Sequence, residues 1–322
     1  ELVVDIREFP EEENTDEIVA SRPTKRRIIE EVKEEPTQEI DKIEVNEESY
    51  DNYVLPPITL LNNPTKKQTV TKGDIVEKSK REKKPVSELM IEQEIELNGV
   101  SRSAVEKLMK RNLTVMMQAV EEGLAGVSSK TGLTGGDAKK LKEYIDSGNS
   151  ITGADFLTGV AAAIATNEVN ASLGLICATP TAGSAGVLPG CVHALKQKFD
   201  IDEETQLRML FTAGAFGFVV ANNASCAGAE GGCQAEIGSA SAMAAAAIVE
   251  ARGGDAEMSA HAFSIAMKNM LGLVCDPVAG LVEVPCVKRN AAGASIALMA
   301  ADMALAGIKS RIPADEVLES MY

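Results

Sequence analysis

The sequence predicts a mainly α protein, an Ala- and Gly-rich multi-helix domain behind a disordered N-terminal tail. Three observations carry that expectation. First, composition breaks near residue 84: residues 1–83 hold 21 acidic and 14 basic residues, six of the 12 prolines, one of the 26 glycines and no cysteine. Such a segment buries too little apolar surface to offset the entropy of ordering it. Second, beyond the break apolar residues recur at steps of three and four, the period of a helix face. Third, alternating strand patterns of useful length are scarce there.

Residues 1–84 read as a low-complexity tail. Its mixed-charge stretch "FPEEENTDEIVASRPTKRRIIEEVKEEPTQEIDKIEVNEESYDN" precedes a short apolar island, "VLPPITLLNNP". The domain then occupies 85–322. Its first helix, in "PVSELMIEQEIE", has Ser87 as its expected N-cap. In "SRSAVEKLMKRNLTVMMQAVEEGL", Val105, Leu108, Met109, Leu113, Met116 and Val120 form one apolar stripe before Gly123. Further helices are expected at roughly 154–166, 185–198, 203–221, 235–252, 257–271 and 290–308. Many are rich in Ala and Gly, whose small side chains let helix axes approach closely. The run "AAGASIALMAADMALAGI" after Asn290 nears membrane-spanning length. It contains Asp302, however, and Ala and Gly gain little on transfer to lipid, so a buried helix is expected.

The whole chain sets limits on function. With 322 residues, 45% apolar and 25% charged, it is long enough for a large buried core, and it carries a formal charge of −16. That acidity speaks against a nucleic-acid surface and gives no reason to expect an anionic membrane partner. No basic, apolar, small-residue leader opens the sequence. The first residue is Glu rather than Met, which leaves room for an upstream segment. A cytoplasmic location is expected, and in a reducing cytosol free thiols and metal thiolates outlast disulfides.

Chemistry concentrates in four loops between the helices. "ATPTAGSAGVLPG", Ala178 to Gly190, is a Gly/Ser/Thr run leading into a helix, suited either to an anionic group at the helix N-terminus or to a tight turn that needs small residues. It lacks the Lys of a P-loop. "SSKTGLTGGD", Ser128 to Asp137, offers hydroxyls and a Lys that could hold a zwitterion, or could cap a helix at Thr134. "AGAEGGCQAE" and "CDPVAGLVEVPCVKRN" carry Cys233, Cys275 and Cys286, while Cys177 sits in a loop approach and Cys191 and Cys226 fall nearer helical stretches. Taken alone, these thiols leave three readings open: a disulfide, inert buried thiols, or ligands of a metal cluster. With only His193 and His261 and no H-E-x-x-H, zinc proteases of that kind are excluded.

From Pro85 to Tyr322 the sequence closely resembles the α chain of iron–sulfur L-serine dehydratases. The resemblance rests on "MIEQEIE", "RNLTVMMQAVEEGL", "SSKTGLTGGDA", "ATNEVNAS", "ICATPTAGSAGVLPG", "GAEGGCQAEIGSASAMAAAA" and "LGLVCDPVAGLVEVPCVKRNAAGA". It implies that the helical domain is catalytic. It also implies that Cys233, Cys275 and Cys286 bind a [4Fe–4S] cluster with one iron open to substrate, and that no pyridoxal phosphate is required. The implied reaction is dehydration and deamination of L-serine to pyruvate and ammonia. The matching motifs place Lys130, Thr131, Asn167, Asn170, Thr179, Thr181, Ala182, Gly183, Ser184, Arg289 and Asn290 as polar or loop candidates for binding substrate. The resemblance also implies a smaller β chain, in a heterodimer or higher oligomer, that completes the site and supplies the general base; neither His193 nor His261 lies in a matching motif.

The sequence departs from the family pattern at both ends. Family members usually continue beyond "IPADEVLESMY" by a few tens of residues, so a shortened C-terminus is expected. The first 84 residues have no counterpart. There the apolar island with "TKKQTVTKGDIVEKS" resembles the region ahead of the motor domain in FtsK/SpoIIIE-type DNA translocases, although an ordinary disordered extension accounts for it equally. Two other functional readings stay open: an inactive fragment or fusion with a structural or interaction role, and a related dehydratase acting on threonine, which differs from serine by one methyl group.

Overall fold

A computed structural model of the chain describes residues 72–321. The expected tail, with its apolar island and translocase-like stretch, falls mostly on residues 1–71, outside the described residues. Twelve α-helices make up the framework among the described residues. No strand occurs there, only an isolated bridge between Ser128 and Gly135.

The helices run α1 Lys72–Glu82, α2 Val86–Asn98, α3 Arg102–Ala125, α4 Asp137–Asp146, α5 Ala154–Ala171 and α6 Val187–Phe199. They continue with α7 Glu203–Asn223, α8 Gly228–Cys233, α9 Ser239–Ala251, α10 Ala256–Met270, α11 Cys286–Leu305 and α12 Ala314–Glu319. A π-helical turn, Gln234–Gly238, joins α8 to α9. The helix α1 lies inside the segment that reads as tail from sequence. Its Val76 is buried against the main core, which a mixed-charge composition does not disclose.

Two helices are buried nearly all round. Every residue of α9 from Ser239 to Val249 is buried, and so is every residue of α5 from Gly159 to Val169. Helices α6, α7, α10 and α11 pack around α9, and α3, α4, α6 and α11 around α5. Burying an Ala methyl contributes only about 0.8 kcal/mol. Cohesion therefore depends on how closely the axes approach, and glycines set that distance. A Cβ at Gly190 of α6 would fall 2.7 Å from the Gly159 carbonyl oxygen of α5. Larger side chains fill the remaining space, with Phe216 and Phe263 stacked at 5.3 Å between α7 and α10.

Helix ends follow local chemistry in most places. Ser101, Asp202 and Asp255 accept from the N–H groups of Ala104, Thr205 and Met258 and so cap α3, α7 and α10. Helix α2 departs from expectation, because its N-cap is Pro85 and Ser87 lies inside the helix, buried. The Glu250 carboxylate of α9 does the capping, accepting from Val86 N at 2.8 Å and Ser87 N at 3.2 Å. Thr134 does not cap α4 either: Gly136 is the N-cap, and the buried Glu168 carboxylate of α5 accepts from Asp137 N at 2.8 Å and Ala138 N at 3.2 Å. On α3 the stripe holds except at Leu108, which is 62% exposed. The apolar run after Asn290 forms α11, with Ala294, Ala297, Ala300, Ala301 and Ala304 buried against neighbouring helices. No single helix among the described residues is long and apolar enough to cross a membrane.

Candidate active site

The loops singled out in the sequence meet at one end of α5, α9 and α11. Cys233 ends α8, Cys286 opens α11, and Cys275 lies in the connection after α10. Two backbone features strap the first and last of these segments together. Gln234 N donates to Leu273 O at 2.9 Å, and the Gln234 Oε1 accepts from Gly272 N at 2.8 Å. Gly232 sits at φ +75°, and a Cβ there would fall 2.9 Å from the Leu273 carbonyl oxygen. Only glycine meets both demands at this turn.

All six cysteines are free thiols, so the disulfide reading does not describe this chain. They divide by environment. Cys191 is wholly buried in α6, where burial pushes its thiol up to about 12, and its Sγ faces Ala294 O at 3.9 Å; it is an inert core thiol. Cys177 and Cys226 are half-buried, the latter in the loop between α7 and α8. Cys233, Cys275 and Cys286 form an electrostatic group. Burial pushes the Cys233 thiol up, a hydrogen bond from Arg289 Nη1 at 3.1 Å pulls it down, and Glu236 and Cys275 push it up again. Burial, then Cys233 and Glu236, push Cys286 up to about 11.

The chemistry of this donor set fits a sulfur-ligated cluster. No three His, Cys, Asp or Glu side chains among the described residues close around one point as a single ion demands. Cys233 is linked electrostatically to Cys275 on one side and to Cys286 on the other, and a donor set of thiols alone suits a multi-atom iron–sulfur core, whose cationic charge would offset the cost of ionising buried thiols. Cys286 is also the first residue of a 20-residue helix, whose N-terminal N–H groups favour a thiolate. Arg289 holds this edge in place through Asp276 at 2.5 Å and Val274 O at 2.9 Å.

The Thr179–Ser184 loop stands directly beside the thiols, fixed by asparagines. Asn290, fully buried on α11, donates from Nδ2 to Gly183 O at 2.7 Å and Cys286 O at 2.9 Å, and its Oδ1 accepts from Gly186 N at 3.0 Å. Asn167 Nδ2 donates to Gly183 O at 3.0 Å, and Asn170 Nδ2 to Ala182 O at 3.1 Å. These asparagines orient the loop rather than point away from it. The loop hydroxyls are engaged internally: Thr181 Oγ1 donates to the Glu236 carboxylate, and Ser184 Oγ lies 3.2 Å from Thr179 O, its acceptor. The backbone N–H groups of Ala182, Gly183 and Ser184 carry no hydrogen bond among the described residues. Two buried side-chain atoms at the same place, Asn167 Oδ1 and Thr179 Oγ1, also lack a partner among the described residues. Unpaired buried polar atoms at a loop of this kind suit a polar ligand. A cavity of about 640 Å³ opens beside Thr181, between Ala221 of α7 and Gly231 of α8, with Met321 on its wall.

The family model for the serine dehydratase alpha chain matches residues 81–322. The chain belongs to the serine dehydratase alpha chain family. Within that family, a probable L-serine dehydratase alpha chain of Bacillus subtilis (strain 168) is 62% identical over 249 residues, covering 77% of this chain and 83% of that one. The L-serine dehydratase alpha chain of Peptoniphilus asaccharolyticus is 45% identical over 238 residues, covering 73% and 81%. L-serine dehydratase 1 of Escherichia coli (strain K12) is 44% identical over 163 residues, or 50% of this chain and 36% of that protein.

Sequence reasoning missed two acidic residues of this serine dehydratase alpha chain site. One is Glu236, the acceptor of Thr181. The other is Glu283, which explains what the "SSKTGLTGG" loop does. Glu283 is buried between Cys275 and Cys286 and accepts from Thr131 Oγ1 at 2.8 Å and Thr134 Oγ1 at 3.1 Å. Thr131 is thus engaged by a carboxylate, while Lys130 is exposed and makes no hydrogen bond among the described residues. Lys288 adds a second tie, reaching Asp137 at 2.5 Å. The acidic positions in "EGGCQAE" and "CDPVAGLVEVPC" were visible in the sequence, but nothing local marked them as partners.

Burial pushes the Glu283 carboxyl up, but donation from Ser129, Thr131 and Thr134 outweighs it, so its pKa lies below the ordinary carboxylate value. A depressed folded pKa adds stability above the unfolded value, about 4.3 for Glu, and that stability is lost as pH falls through the folded value. Glu283→Gln is therefore expected to unfold more easily than wild type near neutrality, with the gap closing as pH drops below about 4. Urea unfolding of both proteins across this range checks it; a gap independent of pH would show that the carboxylate charge is not what holds the two loops.

Proposed function

We propose that this chain is the catalytic α subunit of an iron–sulfur L-serine dehydratase, converting L-serine to pyruvate and ammonia together with a β chain. The relatives' names supply serine and the partner; the arrangement around Asn290 carries the assignment to particular residues. That one side chain ties the Cys286 carbonyl to both ends of the Gly183–Gly186 turn, so the thiols and the polar loop form one unit. Cys233, Cys275 and Cys286 are the proposed ligands. A [4Fe–4S] cluster held there would supply a Lewis-acidic iron for the substrate hydroxyl and carboxylate.

The residues of the chain then divide the remaining work. The N–H groups of Ala182, Gly183 and Ser184 receive a carboxylate oxygen, a role the engaged hydroxyls of Thr181 and Ser184 do not fill as donors. Asn167 and Asn290 hold the loop at its working distance. Arg289 steadies Cys233 and the Cys275 connection. The proton acceptor comes from the β chain. His193 on α6 and His261 on α10 are not among the groups that act on Cys233 or Cys286.

The test is anaerobic reconstitution with iron and sulfide, followed by Mössbauer spectroscopy with and without L-serine and by pyruvate assay with and without the β chain. One iron in four changing its signal on addition of serine, with turnover only in the two-chain mixture, is the expected result. Failure to assemble a cluster, or turnover by an iron-free protein, sinks the reading.

A further inference from the structure

We infer that Glu236 is the residue that recognises the substrate ammonium group and so restricts the site to amino acids. The inference rests on the serine reading above and adds a specificity residue to it.

Four observations converge on this carboxylate. It projects from the π-helical turn between α8 and α9, three residues after Cys233. On its other side one oxygen accepts from Thr181 Oγ1, so it borders the thiols and the polar loop at once. Its surroundings are kept clear by glycine: a Cβ at Gly183 would fall 2.5 Å from Oε1, and one at Gly228 would fall 2.9 Å from Oε2. Finally, no Lys, Arg or His among the described residues forms an ion pair with it. Arg289, which acts on the same thiols, is committed to Asp276, Val274 O and Cys233.

A half-buried carboxylate that no protein cation joins is matched by a positive group on a ligand. The Ala182–Ser184 N–H groups lie on the same loop and suit the opposite charge. An α-amino acid supplies both, with ammonium and carboxylate two bonds apart on one carbon. Oε2, which carries no hydrogen bond among the described residues, is the available acceptor. Glu230, the other carboxylate nearby, is exposed and already accepts from Ser225 Oγ at 2.6 Å.

Glu236→Gln keeps an acceptor for Thr181 while removing the charge and turning the second oxygen into an NH2 donor, so it separates recognition from loop anchoring. In the reconstituted two-chain enzyme, KM for L-serine and the inhibition constant of glycerate, which bears a hydroxyl in place of the ammonium, are measured for wild type and variant. KM for serine is expected to rise about 30-fold, as loss of a charge-assisted hydrogen bond implies, while glycerate binding changes less than about threefold. Glu236→Asp, with the charge retained on a shorter arm, is expected to recover part of the preference for serine. Equal weakening of serine and glycerate, or no change in either, overturns the assignment. Wild-type enzyme that does not turn over serine at all would instead remove the reading on which the inference rests.

Discussion

Cys286→Ala is expected to leave the protein folded and helical but unable to retain a full complement of iron, with serine deamination lowered by roughly three orders of magnitude. A Lewis-acid centre contributes several kcal/mol to such an elimination, and each 1.36 kcal/mol is about tenfold in rate. Cys233→Ala and Cys275→Ala should behave alike, because the proposed cluster, held by three thiolates, would have no spare ligand. Cys191→Ala should keep its iron, since that thiol faces a carbonyl oxygen inside the core. Iron and sulfide analysis of the anaerobically loaded variants, beside circular dichroism, checks both halves. Retention of iron by any of the first three, or its loss from Cys191→Ala, would redraw the ligand set.

Asn290→Ala should combine a stability loss with a catalytic one. The side chain is fully buried and takes part in three hydrogen bonds, to Gly183 O, Cys286 O and Gly186 N. Truncation leaves the Gly186 N–H without its acceptor and takes the Asn290 donor from Gly183 O, which Asn167 still serves, and from Cys286 O, at about 1–3 kcal/mol for a group left unpaired plus about 1 kcal/mol for each further bond lost. Partial relaxation of the loop should hold the total near 3 kcal/mol, a fall in melting temperature of about 6–12 °C for a domain of this size. Activity should fall further than the folded fraction, because the polar loop and the thiol segment lose their shared anchor. Calorimetry and turnover measured on the same preparation separate the two; activity lost only in proportion to unfolding would reduce Asn290 to a packing residue.

The residues of the candidate site differ in how visible they are along the chain. Thr179 to Ser184, Cys233, Cys275 and Cys286 lie in short, Gly-rich stretches whose composition sets them apart from the helices. The acidic residues Glu168, Glu236 and Glu250 do not stand out, because helices routinely carry Glu on solvated faces, and Glu283 does not because loops carry Glu as readily. Each gains its role from a partner that only folding brings near: Glu283 lies 152 positions from Thr131, and Glu250 lies 164 from Val86. For the same reason Ser87 looked like a cap and is not one, and Thr134 looked like a helix start and instead donates to Glu283.

Local rules therefore determined the helical class, the approximate extent of the helices after Pro85 and the loops that carry thiols and hydroxyls. Side-chain periodicity and turn chemistry act over a few residues, and a single sequence displays them directly. Tertiary structure decided which thiols stand together, which asparagine joins them to the polar loop, and which carboxylates cap, tie or face the site. It also decided that α1 belongs to the packed domain through Val76. Those outcomes depend on desolvating a polar group only where a distant partner satisfies it, a condition on positions in space that spacing along the chain does not encode.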